Sequence, residues 1–179
     1  MIYIFLANGF EEIEAITSID VLRRAELKVQ IVGVGSNEII GTHGVKITAD
    51  IREKDICFKD IDAIVLPGGM PGTSNLENSD KVLKAIKYCN ENKKYIAAIC
   101  AAPSILGHMN LLDGKEFICF PGFENSAEYG ILSEKSVCIS DNIITAKGPG
   151  VSLEFALKIV ECLCSKDISL NIEESMQCK

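Results

Sequence analysis

The chain opens on an unbroken apolar run, Ile2 to Leu6, which ends in the turn-forming pair Asn8-Gly9. A short run with no polar alternation reads as a strand buried on both faces. The apolar spacing then changes. Ile13, Ile16, Ile19 and Leu22 lie three apart, the repeat of one helix face, and they follow the acidic residues Glu11, Glu12 and Glu14. Val29 to Gly33 predicts a second strand. Glu38 to Ile40 and Val45 to Thr48, joined by Gly41-Thr-His-Gly44, predict a small hairpin. Ala63 to Leu66 is another apolar run, stopped by Pro67-Gly68-Gly69. Ser79 to Asn90 predicts a helix with Val82, Leu83, Ile86 and Cys89 inward and Lys81, Lys84 and Lys87 outward. Tyr95 to Ile99, Phe117 to Phe120, Val137 to Ser140 and Ile143 to Ala146 supply further strands. A last helix from about Ser152 to Cys164 carries Leu153, Ala156, Leu157, Val160 and Cys164 on its apolar face, and residues from about 166 read as a terminal extension.

Short apolar strands separated by amphipathic helices predict an α/β fold: a mainly parallel central sheet with helices on both faces, in a single domain over residues 1–179. A hydrophobic fraction of 47% agrees with a core that needs no disulfides. The net charge of -7 gives no electrostatic basis for gripping nucleic acid or an anionic membrane surface. The first residues lack the basic segment of an export signal, and no apolar stretch reaches membrane-spanning length, so a cytoplasmic location is expected. In that setting the 8 cysteines are expected to be reduced thiols.

In such a sheet ligands bind beyond the carboxyl ends of the strands. Three turns fall at such ends: Asn8 to Glu14, Pro67 to Gly69, and Cys100. Cys100 ends the strand Tyr95 to Ile99 and is followed at once by Ala101-Ala-Pro103 and a helical segment. The arrangement resembles the Gly-x-Ser-x-Gly elbow, with Ala98 and Ala102 at the glycine positions. Helix-opening amides beside the sulfur would favour the thiolate and lower its pKa, while a small buried hydrophobe is the plainer reading of such a cysteine. A carboxyl close to a thiolate would be pushed toward its protonated form and could carry a proton, whereas most acids in a helix's first turn only complement its dipole. Bare amides at Gly68 and Gly69 could face an oxyanion. Cys162 and Cys164, two apart on a helix, diverge, and no histidine or cysteine pair has metal-ligand spacing. Gly148-Pro149-Gly150 lacks the lysine and spacing of a phosphate loop. No cofactor or metal is expected.

Five segments in order resemble the ThiJ/PfpI superfamily, in the branch of the Parkinsonism-associated deglycase and the ThiJ-like proteins. They are Gly9-Phe-Glu-Glu-Ile-Glu14, Asp20-Val-Leu-Arg-Arg-Ala25, Val65-Leu-Pro-Gly-Gly69, Ala97-Ala-Ile-Cys-Ala-Ala-Pro103 and Lys147-Gly-Pro-Gly-Val-Ser-Leu-Glu-Phe-Ala156. The resemblance implies a flavodoxin-like sandwich and a reactive cysteine matching Cys100. It also implies a protonated glutamate matching Glu14, oxyanion amides matching Gly69 and Ala101, and a homodimer. The chain departs from the pattern at Phe120, where many relatives place a histidine before the proline. His108 reads as a helix C-terminal residue and His43 lies in the hairpin turn, so no Cys-His dyad for peptide cleavage is expected. The implied activity is a cofactor-independent glyoxalase or deglycase acting on methylglyoxal, glyoxal or their early adducts. The alternatives are a redox-sensing or chaperone-like protein whose Cys100 oxidises to a sulfinate, and a protein of thiamine-related metabolism. Cys119, near the expected pocket, reads as packing before it reads as a resolving thiol.

Overall fold

A computed structural model describes residues 1–178. In chain order it comprises β1 (Ile2–Leu6), α1 (Glu12–Arg24), β2 (Val29–Gly33), β3 (Glu38–Ile40), β4 (Lys46–Thr48), β5 (Ile51–Arg52), β6 (Ala63–Leu66), α2 (Gly72–Glu77), α3 (Asp80–Glu91), β7 (Tyr95–Ile99), α4 (Pro103–His108), β8 (Glu116–Phe117), β9 (Ile131–Leu132), β10 (Val137–Ser140), β11 (Ile143–Ala146), α5 (Ser152–Leu163) and α6 (Lys166–Ser175). The central sheet runs β10-β11-β7-β6-β1-β2-β5. Every pairing in it is parallel except that of β10 with β11. The expected α/β sandwich is what the chain forms.

Alternation along β1 splits the core into two layers. Tyr3 and Phe5 face one side with Ile64, Leu66, Val82, Ile86 and Ile105, beneath α3 and α4. Ile4 and Leu6 face the other with Val65, Ala97, Phe155, Ile159 and Val160, beneath α1 and α5. Strand order reverses between β1 and β6, because the chain adds β2 and β5 on one side of β1 and β6, β7 and β11 on the other. A crevice opens beyond the carboxyl ends at such a reversal.

Two expectations are corrected. Ile13 and Ile16 are not on the buried face of α1: they are 56% and 43% exposed, and the inward stripe is Glu14, Ala15, Ser18, Ile19, Val21 and Leu22. Phe117 to Phe120 is not a strand of the central sheet. Only Glu116 and Phe117 are extended, in a separate parallel pair with β9, and beyond them Ile118 donates its amide to the Thr145 hydroxyl at 3.0 Å. Residues from 166, expected as a terminal extension, form helix α6, capped by the Ser165 hydroxyl. This helix is docked on α5 through buried Ile172 and a 2.9 Å bond from Ser169 Oγ to the Leu157 carbonyl.

Candidate active site

Three acids open α1, one as its cap and two in its first turn, and the structure gives each a different task. Glu11 is the N-cap and accepts from the Ile13 amide at 3.3 Å. Glu12 reaches across to the β3–β4 hairpin. Its Oε1 accepts the His43 amide at 2.6 Å, and its Oε2 takes the Thr42 hydroxyl at 3.0 Å and faces His43 Nδ1 at 2.9 Å. Burial alone would raise the Glu12 pKa, but the bonds from the His43 ring, from backbone amides and from Thr42 prevail and hold it near 2. Glu12 is therefore an anchor for the hairpin rather than only a dipole complement, and Gly41 is required beneath it because a Cβ there would meet Glu12 Oε1 at 2.3 Å. Replacing Glu12 with Gln should cost about 2 kcal/mol of folding stability at neutral pH, the scale of hydrogen bonds to a charged group, read by chemical denaturation. A loss below about 0.5 kcal/mol would show that the hairpin does not depend on this carboxylate.

Glu14 points the other way, into the crevice, and is 0% exposed. Its Oε2 accepts the Gly68 amide at 2.7 Å, and its backbone carbonyl accepts the Ser18 hydroxyl at 2.7 Å. Oε1 is buried with no hydrogen-bond partner, and the Cys100 thiol faces the carboxyl. Burial pushes the Glu14 pKa up to about 7 against the pull of the Gly68 amide. An unpartnered buried oxygen favours the same protonated form.

Cys100 follows β7 at φ +64°, a conformation that costs a non-glycine residue roughly 1–2 kcal/mol. Bonds on both sides hold it there: its amide donates to the Ala146 carbonyl at 2.9 Å, and its carbonyl accepts the Phe120 amide at 2.8 Å. The side chain is partly exposed, and the amides of Gly69 and Ala101 lie close enough to the sulfur to favour its anion. Gly68 permits this assembly. A Cβ at that position would stand 2.7 Å from Cys100 Cβ and 3.0 Å from Glu14 Oε2.

The expected low thiol pKa is not found. Burial first, then the charge of Glu14, push Cys100 up to about 12, and the two amides only partly oppose this. The helix dipole is a weak force here because α4 has 6 residues and starts three positions after the sulfur. The site is better described as a pair holding one proton. With the proton on sulfur, Glu14 is a buried anion; with it on Glu14, the thiolate keeps two amides beside it and loses its charged neighbour.

The site thus gathers Glu14, Gly69, Cys100 and Ala101, and its close packing depends on Gly68, whose amide Glu14 accepts. The signal for Glu14 was a polar residue on what proves to be the core stripe of α1. Phe120 lies at the rim, 43% exposed, and a Cβ on Gly148 would meet its ring at 3.1 Å. Cys119 is buried and pushed up to about 11 by burial and Glu124, as suits packing. His108 ends α4 and pairs with Glu77. Among the described residues, Glu11, Glu12 and His43 place donor atoms within 4.8 Å of one another, but Glu12 already spends both oxygens on the hairpin. No helix of the described chain is long and apolar enough to cross a membrane.

The sequence pattern of the DJ-1/PfpI family matches residues 1–162. Glutathione-independent glyoxalase DJR-1.2 of Caenorhabditis elegans is 36% identical over 154 residues, covering 86% of this chain and 82% of that protein. Protein DJ-1 homolog B of Arabidopsis thaliana is 36% identical over 93% of this chain, which spans only 39% of that longer protein. The crystal structure of Drosophila melanogaster DJ-1beta superposes with a TM-score of 0.93 at 33% identity, covering 98% of this chain and 96% of the other.

Proposed function

Because this chain belongs to the DJ-1/PfpI family, we propose that it is a cofactor-independent glyoxalase or deglycase whose nucleophile is Cys100 and whose proton carrier is Glu14. The observation that carries this reading is the buried Glu14 carboxyl, bonded to the Gly68 amide, facing a thiol with the Gly69 and Ala101 amides beside its sulfur. The thiolate of Cys100 attacks the aldehyde carbon of methylglyoxal, and the new oxyanion takes the amides of Gly69 and Ala101. Glu14 removes the proton from that carbon and returns it to the neighbouring carbonyl carbon through an enediol, leaving a thioester of a 2-hydroxy acid. Water then cleaves the thioester, releasing lactate and the free thiol. The net reaction adds one water and needs no oxidant or reductant. Glyoxal and the early adducts of either aldehyde enter the same sequence once the carbonyl is freed.

A second reading uses the same groups: peroxide oxidises Cys100 to a sulfinate that accepts from protonated Glu14 and from the amides. The purified chain, given methylglyoxal and no added thiol, should form lactate through many turnovers. Consumption of one thiol per chain with no lactate would sink the enzyme and favour the sensor. Ile13 and Ile16 are exposed on α1, and Ile40 and Val45 are exposed on the hairpin that Glu12 ties to the start of that helix; this supports a homodimer that covers these side chains.

A further inference from the structure

A cleft of about 360 Å³ opens beside the elbow, between α2, α4 and the loop that follows Phe120. The segments that build the Cys100 site also build this cleft a few residues further on. Met70 follows Gly69, whose amide lies beside the sulfur, Ser104 stands in the first turn of α4, and Asn125 and Ser126 lie past the Phe120 amide that holds Cys100. Its volume lies in the ordinary range of small-molecule sites, roughly 300–1,000 Å³, and exceeds what a three-carbon oxoaldehyde fills.

The chemistry of the lining is specific. Ser104 is 5% exposed, and what is left open of it lines the cleft; its hydroxyl is not among the sealed, unpaired polar atoms of the core. A ligand that covers this hydroxyl strips it of water and leaves it unpaired unless the ligand bonds to it, so its position on a cleft favours a ligand with hydrogen-bonding groups. His108 commits Nδ1 to Glu77, which leaves Nε2 uncommitted at the same cleft. Asn125 adds a free side-chain amide at the rim. No lysine or arginine lines the cleft, and its one histidine is matched by a carboxylate, so an anionic arm would find no surplus cation. Hydroxyl groups, which both donate and accept, match an amide, a hydroxyl and a ring nitrogen in one cleft.

We propose that this cleft is the second part of the substrate site and takes the polyhydroxylated arm of sugar-derived 2-oxoaldehydes, with Ser104 and His108 setting the preference. The proposal rests on the glyoxalase reading and narrows its substrate class. An apolar arm of similar size would strand the Ser104 hydroxyl, and a site built to hydrogen-bond its substrate discriminates against analogues that cannot.

The test compares 3-deoxyglucosone, phenylglyoxal and methylglyoxal as substrates. Wild type should prefer 3-deoxyglucosone to phenylglyoxal. Ser104→Ala and His108→Ala should each lower the ratio of kcat/KM for 3-deoxyglucosone to that for methylglyoxal by about fivefold, through KM, as expected for one neutral hydrogen bond. A ratio unchanged in both variants, with methylglyoxal still turned over, overturns the cleft and leaves the enzyme standing. Absence of turnover of any oxoaldehyde overturns the enzyme instead. The cleft is then read without chemistry: Cys100→Ala protein should bind 3-deoxyglucosone by calorimetry about fivefold more weakly once Ser104→Ala is added, and equal affinity in the two overturns it.

Discussion

Cys100→Ala protein is expected to form lactate from methylglyoxal at least about 10³-fold more slowly than wild type, the scale seen when a nucleophile acting as part of a unit is removed. The rest of the site should survive the change. Alanine tolerates the φ of +64° no worse than cysteine, and the bonds that hold residue 100 run from its backbone to Ala146 and Phe120. Thermal unfolding close to that of wild type would therefore tie the lost activity to the missing sulfur. Cys100→Ser should be nearly as inactive, since a hydroxyl is far less acidic than a thiol and the Glu14 carboxylate beside it is too weak a base to ionise it. Lactate formation within tenfold of wild type in both variants would exclude a covalent route through residue 100.

Glu14→Gln should lower kcat for methylglyoxal by about 10²-fold or more, because the amide can neither take nor return the carbon-bound proton. The pH profile gives a second readout. In wild type the competent state has one proton shared between Glu14 and Cys100, so kcat/KM should rise with pH through about 7, where the doubly protonated pair loses its first proton, and then level off. The Gln variant should lose that step. Stability should move in the opposite direction. A carboxyl whose folded pKa is raised from 4.5 to about 7 binds more protons folded than unfolded between those values, so wild type forfeits about 3 kcal/mol as pH rises through that window. Glu14→Gln should thus unfold at a higher temperature than wild type at pH 8, with the gap closing at pH 4. Equal activity losses for Glu12→Gln and Glu14→Gln would mean that the proton carrier had been assigned to the wrong carboxylate.

Most of the sheet was legible because its strands are buried on both faces and read as bare apolar runs. The two-residue strand β5 was not, since Ile51-Arg52 carries no pattern longer than a loop's. Helix α6 was missed because its buried face includes Ser169 and Ile172 within a largely polar stretch. The face of α1 was misread for a related reason. Ile13 and Ile16 outweigh Glu14 and Ser18 on any hydrophobicity scale, but Gly68 and the Cys100 elbow supply polar partners inside the core, so the helix turns its acid inward. The turns that meet at the site could be found from strand ends alone. The raised thiol pKa could not, because it depends first on how deeply the packed site buries the sulfur and then on how closely Gly68 lets Glu14 approach it, and no spacing rule encodes either.

Glu12 and Glu14 stand two positions apart in the chain, and acid reaches them in opposite order. Glu14 takes its proton near 7 and Glu12 only near 2. On the proposed reading, acid would therefore stop chemistry at the elbow while the clamp between α1 and its hairpin is still closed. The same reading expects activity lost in mild acid to return on neutralisation with no refolding of the hairpin, since Glu12 keeps its charge throughout that range.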